Sequence, residues 1–264
     1  MNPNLLAAVA ICAYLGSAAL ILKPFPQDNL RRVTLGSAWL AVVSHALYTV
    51  LVVQQHADFN FSFFSMAALV SLIVALLLLL AMLSKPVENL GIILFPVTAF
   101  MLALDFIFPE KQRSPASHGW EMHLHILSSI VAFSLLNIAA IQAILLVIQN
   151  QQLKSHPPKR YIQSMPSLEM MESLLFQMIT AGLIFLSVSL ASGFLFVEDI
   201  FARHQAHKTV FSMLAWVIFS GLLIGRVRFG WRGQTAIKWT LLGFSFLLLA
   251  YFGSKGVREI ILNR

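Results

Sequence analysis

The stretch from Ser62 to Leu83 reads SFFSMAALVSLIVALLLLLAML, 22 residues without a formal charge. A helix of about 20 apolar residues covers a bilayer hydrocarbon core of ~30 Å. Seven further apolar runs occupy 4–22, 34–54, 90–108, 124–149, 174–197, 209–225 and 236–254, and almost none contains a formal charge. In hydrocarbon every backbone polar group needs a partner within the protein, so only helices and closed barrels cross. Barrel strands are short and alternate in polarity, and these runs do neither. The sequence therefore predicts an all-α fold, a polytopic membrane protein with eight transmembrane helices. A soluble helical core is excluded by composition. With 58% apolar and 11% charged residues, too little polar surface is left to cover such a domain.

The spans and their short connections use nearly all of the chain, which predicts a single integral membrane domain over 1–264. The first run lacks a basic start, since Met1-Asn2-Pro3-Asn4 carries no Lys or Arg, and it is read as a retained helix. Cys12 is the sole cysteine, so no intrachain disulfide or zinc-type cysteine cluster can form. The net charge of +7 sits in connections between spans, where it serves topology and anionic lipid. No basic stripe with interleaved aromatics suggests nucleic acid, and membrane lipid is the expected environment.

Charge asymmetry predicts orientation. Connections after odd-numbered spans carry Lys23, Arg31, Arg32, Lys85, Lys154, Lys159, Arg160, Arg226, Arg228 and Arg232, with Lys238 opening the last span, eleven basic residues in all. The opposite side carries seven, at Lys111, Arg113, Arg203, Lys208, Lys255, Arg258 and Arg264. The excess places the odd connections in the cytoplasm and both termini outside, in the periplasm for a Gram-negative inner membrane. Pro24, Pro26, Pro86, Pro109, Pro157, Pro158 and Pro166 punctuate the span ends, and Pro96 inside the fourth span predicts a kink.

Pumps and ion-coupled carriers keep ionisable groups at depth. Here the central parts of the runs hold no Asp, Glu, Lys or Arg; Asp105, Glu198 and Asp199 fall at outer ends. No paired carboxylates, Ser-His-Asp order or phosphate-cradling loop stands out, so no catalytic residue is expected. The histidines are different. His56, His118, His123, His125, His204 and His207 fall at the outer side, His45 lies within the second span, and His156 alone is inner.

Neutral imidazole is a ligand for metals and for haem iron. A six-coordinate haem takes two imidazoles on opposite faces of the macrocycle, which two helices can supply. His125 opens the fifth span and His207 the seventh, which makes them the first candidate pair of iron ligands. His123 and His125 diverge by about 200° on a helix, so both cannot serve one iron. His45 is a third candidate, or marks a second, deeper site. Arg203, Lys208, Lys255 and Arg258 lie on the outer side as candidate partners for haem propionates.

Two segments carry a resemblance. Glu121-Met122-His123-Leu124-His125-Ile126-Leu127-Ser128-Ser129-Ile130-Val131-Ala132-Phe133 is similar to the histidine-led helix of the cytochrome c assembly protein family, the haem-handling group of CcsA, CcmC and HemX; His125, Ala132 and Phe133 fit that pattern. Gly230-Trp231-Arg232-Gly233, followed by a last helix ending Tyr251-Phe252-Gly253, resembles the turn and final helix of the same group. The eight-helix layout extends the likeness over most of the chain, nearest to the HemX-like branch. Two departures stand out. Where the family's tryptophan-rich outer signature is expected, the chain reads Val197 to Lys208 without tryptophan, with His207 in place of a proline. No histidine follows Tyr251-Phe252-Gly253.

The resemblance implies a haem-binding or haem-handling inner membrane protein, not an enzyme. Expected partners are haem itself and a haem-pathway or cytochrome assembly protein. Two other readings stay open: a membrane scaffold or regulator of tetrapyrrole biosynthesis, with the basic 150–173 connection as docking surface, and a permease for a small apolar molecule. The orientation is directly testable. An alkaline phosphatase domain fused after Ala116 is expected to be active and one fused after Pro158 inactive; the reverse pattern would invert the topology.

Overall fold

The computed structural model describes residues 2–22, 28–56, 63–108, 120–154, 166–196 and 206–253. The protein is all-α. Its helices are α1 (Pro3–Ile21), α2 (Asp28–His56), α3 (Phe63–Ser84), α4 (Gly91–Ile107), α5 (Trp120–Lys154), α6 (Leu168–Phe196), α7 (Ala206–Phe229) and α8 (Gln234–Leu248). A 3₁₀ turn at Glu88–Leu90 leads into α4, and a π-turn at Leu249–Gly253 ends α8. Among the described residues, eight spans are long and apolar enough to cross a membrane, as the sequence predicts.

The helices outrun the apolar runs. α2 starts at Asp28 and takes in Arg31 and Arg32; α6 starts at Leu168 and takes in Glu169 and Glu172. α5 has 35 residues, and at about 1.5 Å per residue it exceeds the hydrocarbon thickness by several turns. Continuing the helix keeps backbone groups paired through the interface, so charge stops the apolar run without stopping the helix.

The chain groups into two compact units, Met1–Ala116 and Ser117–Arg264. In the first, α1 packs on α2 and α4, and α3 packs on α2 and α4, a closed four-helix ring. The buried face of α1 carries Leu6, Ala7, Ala10, Tyr14, Ser17, Ala18 and Ile21 at helical spacing. Its small residues let α2 approach closely, and Ser17 Oγ meets Ser37 Oγ at 2.8 Å. At the end where α3 turns into α4, Arg31 reaches Glu88 Oε1 at 2.9 Å and the carbonyl of Met82 at 3.0 Å. One guanidinium thus ties α2 to the end of α3 and to the 3₁₀ turn. Pro96 lies inside α4, beside the fully buried ring of Phe95.

The second unit repeats the plan. α5 packs on α6 and α8, and α7 packs on α6 and α8, so α5 and α7 hold opposite corners. Gly182 admits Leu136, whose Cγ would lie 2.7 Å from an added Cβ. Gln142 donates to the carbonyl of Met171 at 3.0 Å, and Ser129 Oγ meets Ser189 Oγ at 2.6 Å. The end at the α7–α8 turn is clasped by Glu172, which accepts from Arg226, from Arg232 Nε at 3.1 Å and from the Gly233 amide at 3.0 Å. Gly230 and Gly233 adopt φ of +66° and +54°, the left-handed region that favours glycine. That turn lays Trp231 over Gly225 and against Trp239, with ring centroids 5.7 Å apart.

Glu172 is half-hidden and satisfies three donors, so removing its charge leaves them short of a strong acceptor. Glu172→Gln is expected to destabilise the second unit by about 1–3 kcal/mol, read as a lower thermal midpoint in detergent. The exposed Glu169→Gln should leave the midpoint unchanged.

Candidate functional site

His125 lies near the start of α5, one turn in from Trp120, and is half-buried. Its Nδ1 is 2.9 Å from the backbone carbonyl of Ser189 on α6 and 3.4 Å from Ser192 Oγ. A carbonyl can only accept, so Nδ1 carries the hydrogen and donates it. Nε2 is then left with a lone pair, and it makes no hydrogen bond among the described residues. This is the arrangement by which proteins prepare a histidine for iron or another metal: the outer hydrogen bond fixes the tautomer and the ring plane. Gly193 makes room for the ring, since an added Cβ would come within 3.1 Å of its Cε1.

His207 lies at the start of α7 and is half-buried, yet its Nε2 is enclosed and has no hydrogen-bond partner among the described residues. An enclosed nitrogen without a partner costs about 1–3 kcal/mol, which a bound group at that atom would recover. The chain returns through α6, so α5 and α7 start on the same side of the membrane. His125 and His207 therefore stand at the same end of the second unit, on opposite corners of its ring. Lys208 follows His207 and is half-buried. Arg203 and Arg258, like Lys255, His118, His156 and His204, lie outside the described residues. His123 is exposed.

His45 belongs to the first unit and is fully buried. Its Nδ1 lies 3.4 Å from the hydroxyl of Tyr14, itself fully buried, and the two rings meet edge to face at 6.0 Å. His45 Nε2 has no partner among the described residues. One turn further along α2, Tyr48 donates to Asp105 Oδ2 at 3.2 Å, and Ser65 donates to Asp105 Oδ1 at 2.7 Å. The first unit thus carries its own polar line from one end of its spans to their middle. Among the described residues, no group of three His, Cys, Asp or Glu side chains is placed to hold a metal ion.

Several of these residues escape sequence reasoning. Ser189, Ser192 and Gly193 lie on α6, and only the fold shows that they face His125. A small-residue cluster one turn from the end of a span, Ser189-Leu190-Ala191-Ser192-Gly193, was the available signal. Tyr14 gave none beyond being the single polar aromatic of its span.

The match to known proteins decides the family. The model of the cytochrome c assembly protein family matches residues 33–262, from inside α2 to beyond the π-turn. The chain belongs to that family. The inner membrane protein YpjD of Escherichia coli K12 is 31% identical over 263 residues, covering 97% of this chain and 98% of that protein. An uncharacterized 28.8 kDa protein of Azospirillum brasilense, from a nifR3-like 5' region, is 28% identical over 75% of this chain and 76% of its own. The cytochrome c biogenesis protein CcsA of Chlamydomonas reinhardtii is 23% identical over 65% of this chain and 50% of its own. No solved structure matches the chain. Membership supports a role related to cytochrome c biogenesis, and the eight spans with the inner membrane relative support a multi-pass membrane location.

Burial separates the imidazoles chemically. With diethyl pyrocarbonate and mass spectrometry, His45 is expected to react at least an order of magnitude more slowly than the exposed His123. Equal rates would mean that the first unit opens around His45.

Proposed function

We propose that this protein binds haem at the outer end of its second unit and carries or presents it without catalysing a covalent reaction. His125 and His207 would hold its iron through their imidazoles. The observation that carries the reading is the hydrogen bond from His125 Nδ1 to the Ser189 carbonyl, because it leaves Nε2 as a free, oriented lone pair. The unpartnered, enclosed Nε2 of His207 on the opposite corner supplies the second reason. When bound, haem supplies an iron centre whose potential is set by its axial ligands and by the polarity around it.

The chain's own residues would do the rest. Ser189 holds the His125 ring, and Gly193 leaves it room. Lys208 brings a cation to the same end as His207, which suits a propionate. His45, enclosed in the first unit, is not assigned to this haem. The names of the CcsA relatives and the family extend the reading to cytochrome c biogenesis, with a cytochrome assembly or haem-pathway protein as receiving partner. In the same reading the His125 end faces the periplasm, following the excess of basic residues on the other side.

Purified protein is expected to show a Soret band, as isolated or after haemin addition. His125→Ala should abolish most of it. His207→Ala should convert a six-coordinate low-spin spectrum to a five-coordinate one, and His45→Ala should leave both features in place. A protein that stays colourless when saturated with haemin would overturn the proposal.

A further inference from the structure

Along α5, Phe133 lies eight residues beyond His125, about 12 Å deeper in the bundle. Three rings gather on it: Phe244 at 5.6 Å, Tyr251 at 4.7 Å and Phe252 at 5.6 Å between centroids. On the opposite corner, Phe211 lies one turn inward of His207 and meets Phe246 at 6.1 Å. The two groups are joined through α8 and its π-turn, which pack against both α5 and α7. The rings thus form an aromatic layer inward of the two candidate ligands, about two turns below His125 on one corner and one turn below His207 on the other.

The π-turn at Leu249–Gly253 carries two of these rings, Tyr251 and Phe252, and both reach Phe133. Such single π-turns interrupt helices at a cost and concentrate at functional sites.

A macrocycle held by His125 and His207 would need an apolar surface beneath it in the bundle. We propose that Tyr251 and Phe252, backed by the buried Phe133, with Phe211 and Phe246, form that floor, and that this floor binds the porphyrin ring independently of its iron. The inference rests on the haem reading. It adds a second contact of different chemistry: aromatic rings against the macrocycle, where the histidines address only the metal. It assigns Tyr251 and Phe133 as positioning residues that fix the depth of the ring and favour tetrapyrroles over other iron compounds.

The two contacts can be tested apart with metal-free protoporphyrin IX, which has no iron for an imidazole to grip. In detergent, its fluorescence is expected to rise on binding to the full-length protein and to the His125→Ala variant alike. Tyr251→Leu and Phe133→Leu should each weaken that binding roughly 3- to 10-fold, the range of a lost aromatic pair. Tyr251→Phe, which keeps the ring, should retain it. Thermal midpoints within a few degrees of the parent, with the haem-free proteins, identify variants that have kept their fold. Should Tyr251→Leu lose its fold, Phe252→Leu, at the edge of the same layer, takes its place in the titration. Haem binding through His125 with porphyrin binding unaltered in both leucine variants would overturn the floor alone. Porphyrin binding that follows the aromatic variants, in a protein without axial ligation by His125, would support the floor and overturn the ligand assignment. Binding of neither haem nor porphyrin would overturn both.

Discussion

Every backbone amide and carbonyl in the hydrocarbon has to be paired inside the protein, and the eight helices meet that demand within themselves. The constraint leaves the backbone with almost nothing to offer a ligand. Recognition then falls to side chains, and to the few carbonyls that already have a helical donor but keep a second lone pair. Ser189 is one of these. Its carbonyl lies within α6 and still receives His125 Nδ1. Lone-pair capacity left over from helix formation thus sets the orientation of the His125 imidazole.

Two kinds of polar group stand out among the described residues. Some are charged and matched: Arg31 with Glu88, and Glu172 with Arg226 and Arg232. They join helices whose apolar faces alone specify rotation and depth poorly. Others are neutral or unmatched. Asp105 accepts from Tyr48 and Ser65, His45 Nδ1 meets the Tyr14 hydroxyl, and His207 keeps an enclosed nitrogen without a partner among the described residues. Matched charge holds a fold together. Unmatched polarity in an apolar setting is costly to the fold and is retained where a ligand or a proton needs it.

The fold was legible because hydrocarbon thickness converts directly into run length. Ser62 to Leu83 reads as a span without any knowledge of its neighbours, and α3 occupies Phe63–Ser84. Helix ends were less legible. Charged residues such as Arg31 and Glu172 end an apolar run while the helix continues through the interface. Glu172 was hidden for that reason, and with it the clasp of the second unit. The candidate ligands stood out as histidines on one side of the membrane. What holds them did not, since Ser189 and Gly193 are small residues whose role depends on which helix faces them. Tyr251 and Phe133 were read as marks of a family, and their stacking emerges only in the fold.

The second unit is fastened unevenly. The end at the α7–α8 turn is closed by an ionic clasp and by two glycines with left-handed backbone that set the Trp231 turn. Among the described residues, the opposite end is held by ring contacts and single hydrogen bonds. Charge grips one end of such a bundle, and weaker contacts the other, like the two ends of a clothes-peg. Parting α5 from α7 at the weaker end would ask the four helices only to splay by small angles about a fixed pivot, with no backbone hydrogen bond broken inside the lipid.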